Sequence, residues 1–194
     1  MKVIVALGNP GKEYENTRHN VGFYLLDKFH FLNNCSNYES FLGSQISKNR
    51  TFKDKEISYI LCKPYEFMNN SGKSFIKLFH FLKLNIQNVL LIYDELDIPL
   101  GKYSLTKRKE KKISHLGVKN LESFFPLDSI LKLKIGIRPN NSKNLIIKHF
   151  VMENFYIEEK NQINLLEKEI FEIIKKFLFL DEKEILNPIN YLKR

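Results

Sequence analysis

Apolar positions along the chain follow two alternating periods. Val3–Leu7 is a continuous apolar run closed by Gly8-Asn9-Pro10-Gly11, which predicts a buried strand ended by a turn. From Thr17 onward, Val21, Leu25, Phe29 and Leu32 recur at helical spacing. Ile57–Cys62 reads as a strand, and a helix capped by Asn70 or Ser71 carries Phe75, Leu78, Phe79 and Leu82 on one face. Val89–Tyr93 is an apolar strand that stops abruptly at Asp94-Glu95. Ile130–Ile137 alternates as a strand, and Leu145–Val151 is a further candidate strand. Ile163, Leu166, Ile170, Ile173, Ile174 and Phe177 form the apolar stripe of a last helix.

No repeat or linker interrupts this series, so residues 1–194 are expected to form a single domain. Strands separated by helices predict an α/β fold, a twisted mixed and largely parallel sheet flanked by helices. Ligands of such sheets bind beyond the carboxyl ends of the strands. Asn9, Asn69 and Asp94 each fall just where an apolar run ends. If those strands are parallel neighbours, the three side chains share one crevice.

Composition narrows the class. Among 194 residues 43% are hydrophobic and 13% aromatic, which supplies a packed core and excludes intrinsic disorder. Two cysteines, Cys35 and Cys62, cannot build a disulfide framework, and neither has a CxxC partner, which fits a reducing cytoplasm. The first apolar run is too short for a signal peptide and none approaches a membrane span, so a cytoplasmic protein without membrane association is expected. Charge is distributed unevenly. Of the formal +9, all lies between Lys102 and Lys148, where twelve Lys or Arg face three acids. Such concentration points to a polyanion, with nucleic acid ahead of a merely solvated lysine-rich loop.

Several chemistries lack their residues. Gly72-Lys73-Ser74 resembles the tail of a phosphate-binding P-loop, but Phe67 stands where that loop needs its first glycine. Asp94, Glu95 and Asp97 lack the matched ligands of a metal site, so neither metal nor cofactor is expected. No GxSxG elbow is present. What remains is a histidine acting on water. His30 and His80 lie in the Phe/Leu-rich helices, and His149 falls in the candidate strand without an obvious partner. His19 follows a Gly-Pro loop close to Asn9, and an imidazole near neutral pKa suits general-base work. Such a base needs a carboxylate to fix its tautomer, for which Asp94 is the candidate.

Three blocks now carry a resemblance. Leu7-Gly8-Asn9-Pro10-Gly11-x-x-Tyr14-x-x-Thr17-Arg18-His19-Asn20-x-Gly22, Phe67-Met68-Asn69-x-Ser71-Gly72 and Asp94-Glu95-Leu96-Asp97-x-Pro99-x-Gly101 together resemble bacterial peptidyl-tRNA hydrolases, and the similarity runs on through Lys134–Pro139 and Phe150-Val151. The resemblance implies cleavage of the ester joining a peptide to the ribose of tRNA. Nothing in the sequence points to an oligomer, a cofactor or an obligate protein partner, so a monomer acting alone is expected. The resemblance also implies His19 as general base, Asp94 as its orienting carboxylate and Asn69 as the amide that positions water and polarises the carbonyl. Asn9 would distinguish N-blocked from free aminoacyl groups, and Tyr14 and Phe67 would line the site near the tRNA terminus. Lys107, Arg108 and Lys134 would contact the tRNA backbone, Lys134 standing where the family usually has Arg.

Departures from the pattern leave an alternative open. The family's glycine-rich tract is replaced by Lys107-Arg108-Lys109-Glu110-Lys111-Lys112, and Leu116 replaces a substrate-holding Asn. Glu66 also stands beside the second block in place of a usual Thr. A tRNA-binding relative with impaired catalysis is therefore the competing reading. Asn120, one helical turn beyond Leu116, is a candidate to compensate by facing the same site.

Overall fold

The computed structural model describes residues 1–108, 113–139 and 146–186. Strands and helices follow in the order β1 (Lys2–Ala6), α1 (Val21–Leu32), β2 (Glu39–Phe41), β3 (Ser44–Phe52), β4 (Lys55–Pro64), α2 (Ser71–Phe81), β5 (Val89–Pro99), β6 (Tyr103–Thr106), α3 (Leu116–Glu122), β7 (Leu131–Arg138), α4 (Ile147–Met152), α5 (Ile157–Phe179) and α6 (Glu182–Ile185). They build one seven-stranded sheet in the order β2-β3-β4-β1-β5-β7-β6. Its four central strands, β4, β1, β5 and β7, run parallel, and the outer pairings are antiparallel.

The continuous apolar run of β1 is explained by burial on both sides. Ile4 and Ala6 belong to a core with Leu25 and Phe29 of α1 and Ile170 and Phe177 of α5. Val3, Val5 and Leu7 face the other core, with Phe75 and Leu78 of α2 and Val118 and Leu121 of α3. Successive strand residues point to opposite faces, so a central strand covered by helices on both sides has no polar face.

The segment expected as a strand over Leu145–Val151 is the helix α4 in its described part, residues 147 to 152. The two sides of β7 are already taken by β5 and β6, so a further strand has no edge there to join. The apolar positions 146, 147, 150 and 151 also satisfy helical spacing, and in a segment this short the two periods look alike. His149 is accordingly an exposed helical residue rather than a strand residue. Two further elements escaped the hydrophobic pattern. β3 buries Ser44, Ser47 and Asn49 along with Ile46 and Phe52, so polar residues break up its apolar pattern. β5 continues through Asp94 and Glu95, pairing with Ile135 and Gly136 of β7, instead of ending at Tyr93.

Two helix starts are set by close backbone approach. A Cβ at Gly22 would stand 2.7 Å from the Leu7 carbonyl oxygen and 2.8 Å from that of Ile92, so only glycine lets α1 begin against the ends of β1 and β5. At α2 the cap comes from outside the helix. Neither Asn70 nor Ser71 bonds a free amide of the first turn; Asn120 of α3 accepts from the Gly72 N–H at 2.8 Å. Asn120 thus joins α3 to α2, which corrects its expected place as a substrate-facing group.

Candidate active site

Because β4, β1 and β5 are adjacent and parallel, the residues that follow them meet at one end of the sheet. Asn9, Asn69 and Asp94 line a single cleft of about 620 Å³ together with His19, Phe67, His115, Leu116 and α4. A larger cleft of about 830 Å³ lies around Pro10, Tyr24 and Lys63. Its Lys63 is paired with Asp27 at 2.7 Å, and Lys28 with Glu167, so these four charges hold elements together.

The centre of the first cleft is Asp94, 3% exposed. His19 Nδ1 lies 2.9 Å from its Oδ1, and His115 Nε2 lies 2.9 Å from the same oxygen. Burial alone would raise the pKa of this carboxyl, but the charges and hydrogen bonds of the two imidazoles hold it well below the ordinary carboxylate range. Asp94 is therefore ionised and only accepts, so both ring nitrogens donate to it. This fixes the tautomers. In His19 the proton sits on Nδ1, which leaves Nε2 as the basic atom. His115 donates from Nε2 while its Nδ1 accepts from the Val118 N–H at 3.3 Å, capping α3.

Desolvation disfavours the charged form of His19, but the negative charge of Asp94 and the hydrogen bond to it prevail, and the pKa is raised above 6.5. His115 is the member of this cluster that sequence reasoning missed. It lies beyond a run of charges without periodicity; its signals are its place before Leu116-Gly117-Val118, where a helix cap would fall, and the position of His115-Leu116-Gly117 where the resembled family has His-Asn-Gly. The three groups offer ligand atoms within 4.8 Å of one another. A metal would need those imidazole nitrogens unprotonated and about 2 Å from the ion. Two nitrogens converging on one carboxylate oxygen at 2.9 Å instead have the geometry of proton-bonded partners.

The amides are held as firmly. Asn20 accepts from the Asn9 backbone N–H at 2.8 Å and donates to its carbonyl at 2.9 Å, so one side chain grips both main-chain groups. Asn9 Oδ1 then accepts from the Met68 N–H at 2.8 Å, and its Nδ2 faces the Met152 sulfur at 3.7 Å, a weak acceptor. Asn69 is exposed at the cleft wall. Phe67 is 57% exposed, with the ring of Tyr14 edge-on at 6.2 Å. Arg18, next to His19, is 1% exposed and ties the cleft wall together. It donates to the Phe150 carbonyl at 3.0 Å, pairs with Glu153 at 3.3 Å and Glu159 at 2.8 Å, and lies over the Phe150 ring.

The basic segment divides. Lys107 and Arg108 follow β6, Arg108 being exposed, while residues 109 to 112 lie outside the described part. Lys134 is drawn into an ion pair with Glu95 at 3.1 Å with its side chain only 12% exposed, so it neutralises a carboxylate of the cleft instead of facing outward as expected. Lys132, fully buried on β7, donates at 2.9 Å to the carbonyls of Arg108 and Leu127 and so anchors the stem of the basic loop.

The fold and cleft define an α/β protein with a buried histidine–carboxylate couple at the carboxyl ends of its central strands, suited to taking a proton from water. The family model described as peptidyl-tRNA hydrolase matches residues 3–194. A peptidyl-tRNA hydrolase of Aquifex aeolicus is 38% identical over 177 residues, covering 91% of this chain and 85% of that one. That of Listeria innocua is 32% identical over 191 residues, covering 98% and 100%. A crystal structure of the Acinetobacter baumannii peptidyl-tRNA hydrolase superposes with a TM-score of 0.85 at 23% identity, over 98% of this chain and 94% of that one, and shares the fold. The chain belongs to the peptidyl-tRNA hydrolase family.

Proposed function

We propose that this chain hydrolyses the ester between a peptide, or another N-blocked aminoacyl group, and the terminal ribose of tRNA. The observation that carries this reading is the His19–Asp94 couple, whose geometry leaves His19 Nε2 as the base in a cleft lined by two amides. His19 Nε2 takes a proton from water as the water oxygen attacks the ester carbonyl carbon. The imidazolium is stabilised by Asp94 through Nδ1–H. The carbonyl π electrons move to oxygen, where the Asn69 amide can donate to the developing charge. Collapse of the tetrahedral intermediate breaks the bond to the ribose oxygen, which takes the proton from His19. The products are a free carboxylic acid and tRNA. An alcohol leaves more readily than an amine, so the reaction needs no covalent nucleophile.

Asn9 supplies selectivity in this reading. Its Nδ2 is held against a weak sulfur acceptor and can donate to the amide carbonyl of an N-blocked group. A free α-ammonium offers only donors and positive charge there. Tyr14 and Phe67 fit the terminal bases as stacking surfaces. Lys107 and Arg108 act on phosphates, with Lys132 as the anchor of their loop. The reading also has the protein acting as a cytoplasmic monomer on peptidyl-tRNA, without a cofactor or obligate protein partner. Free Cys35 and Cys62 fit it, as does the lack, among the described residues, of a helix long and apolar enough to cross a membrane.

Single-turnover release of tRNA from an N-acetyl-aminoacyl-tRNA, beside the unblocked form and a His19→Ala variant, tests the proposal. His19-dependent release confined to the blocked substrate is expected. Tight tRNA binding without such release would instead support a binding relative with lost catalysis, a reading disfavoured by His19, Asp94, Asn9 and Asn69 standing together in one cleft.

A further inference from the structure

The wall of the cleft beside His19 is apolar over most of its extent. Phe67, Leu96, Leu116, Ile147, Val151 and Met152 line it. Four of these are exposed far beyond core residues: Phe67 by 57%, Leu116 by 56%, Ile147 by 51% and Met152 by 38%. A single exposed apolar side chain is ordinary, but four converging from three chain segments on one reacting centre form a patch that serves binding. Leu116 is the residue after His115, whose ring is bonded to Asp94, so its place relative to the reacting carboxylate couple is fixed.

Of the charges that adjoin this wall, Asp94 is engaged by two imidazoles and Glu95 by Lys134, while Lys148 of α4 is exposed beside Ile147. The ester places ribose and phosphates on one side of the scissile bond and the acyl group on the other. The basic loop and Phe67 suit the first, and the part of the wall formed by Leu96, Leu116, Ile147, Val151 and Met152 suits the second.

We infer that Leu116, with Ile147 of α4, receives the side chain of the esterified residue and makes the enzyme prefer acyl groups ending in a large apolar residue. This rests on the ester-cleaving role proposed above. Burial of a Leu-sized side chain in such a wall corresponds to about 10-fold or more in kcat/KM.

The test uses one tRNA body charged in turn with N-acetyl-leucine, N-acetyl-phenylalanine, N-acetyl-glycine and N-acetyl-aspartate. Each kcat/KM is divided by the rate of that ester in hydroxide alone, which removes intrinsic lability. The wild type is expected to favour the leucyl and phenylalanyl esters over the other two by about 10-fold or more. Leu116→Asn keeps the branched outline and the number of heavy atoms while replacing two methyl groups by a polar amide, and at an exposed position it leaves the core untouched. It should reduce the preference to about 3-fold or less. Ile147→Asn, on a different element, should do the same and serves as the second variant if one fails to fold. Equal normalised rates in the wild type, or an unaltered preference in both folded variants, would overturn this inference alone. No His19-dependent release from any of the four esters would overturn the hydrolase reading and this inference with it.

Discussion

His19 and His115 donate to the same oxygen of Asp94, each at 2.9 Å, with their ring centroids 4.7 Å apart. Two imidazoles sharing one acceptor divide the influence of a single negative charge. His115 is bonded at both ring nitrogens, Nε2 to Asp94 and Nδ1 to the Val118 N–H, so the proton taken from water goes to His19 Nε2.

Replacing His115 by Ala removes one donor from a buried carboxylate. Asp94 then acts on His19 alone and raises its pKa further. We expect the midpoint of the kcat/KM pH profile to move upward, with about a 10-fold loss of the limiting rate, the equivalent of one charge-assisted hydrogen bond. His115→Gln, which can still donate, should restore part of both effects. A pH profile identical to wild type in His115→Ala would show that the second imidazole has no influence on the base.

The wild-type profile itself has a definite sign. His19 must be unprotonated to accept a proton, and its pKa is raised above 6.5, so kcat/KM should increase with pH through a midpoint above 6.5. In Asp94→Asn the negative charge is gone while desolvation remains, so the midpoint should fall below 6.5, with a loss of about 10³-fold or more because the imidazolium has lost its counter-charge. Linkage runs the other way for stability. A raised His19 pKa stabilises the fold fully below 6.5, and that contribution is lost as pH rises through the folded-state value. The lowered pKa of Asp94 contributes above the ordinary carboxylate value of 3.8, and this is lost only as pH falls through its lower folded-state value. Urea midpoints measured from pH 2 to 9 would follow both.

Arg18 binds α4 and α5 to the loop that carries His19. Arg18→Met leaves Glu159 partly buried without its partner and should cost about 3–5 kcal/mol in denaturant unfolding. Arg18→Lys keeps the charge but not the forked geometry, so it should recover only part of the stability. Since α4 supplies Ile147, Val151 and Met152 to the cleft, the lysine variant should raise KM more than it lowers kcat. An unchanged KM would mean that the wall stands without the clamp.

Lys107 and Arg108 should govern the ionic-strength dependence of tRNA affinity. Replacing each by Ala should reduce the slope of log K against log salt by about 1. Lys134, paired with Glu95 inside the cleft, should leave that slope nearly unaltered when changed to Met. Filter binding or fluorescence titration at several salt concentrations distinguishes the two groups. An equal effect at Lys134 would mean that its pair with Glu95 opens to the nucleic acid.

Much of this protein is determined locally. Val3–Leu7 and Val89–Tyr93 are apolar without alternation because both faces of a central strand are covered, and that condition leaves its mark in one-dimensional order. The turn chemistry of Gly8-Asn9-Pro10-Gly11 marks the end of β1, and the sharp change at Asp94 marks where the apolar run of β5 stops although the strand runs on to Pro99, which made the crevice around Asn9, Asn69, His19 and Asp94 legible. Other features have no local mark. β3 carries Ser47 and Asn49 inward because they bond the main chain of Ser36 and each other. The apolar spacing of α4 fits either period, and its packing over Arg18 is a tertiary contact with no local mark. His115 meets Asp94, Lys134 turns to Glu95, and Asn120 caps α2 only when segments distant in sequence are packed together. Periodicity records which face of an element meets the core. The partner of a polar atom is chosen by direction and distance in three dimensions, and only the tertiary structure decides that.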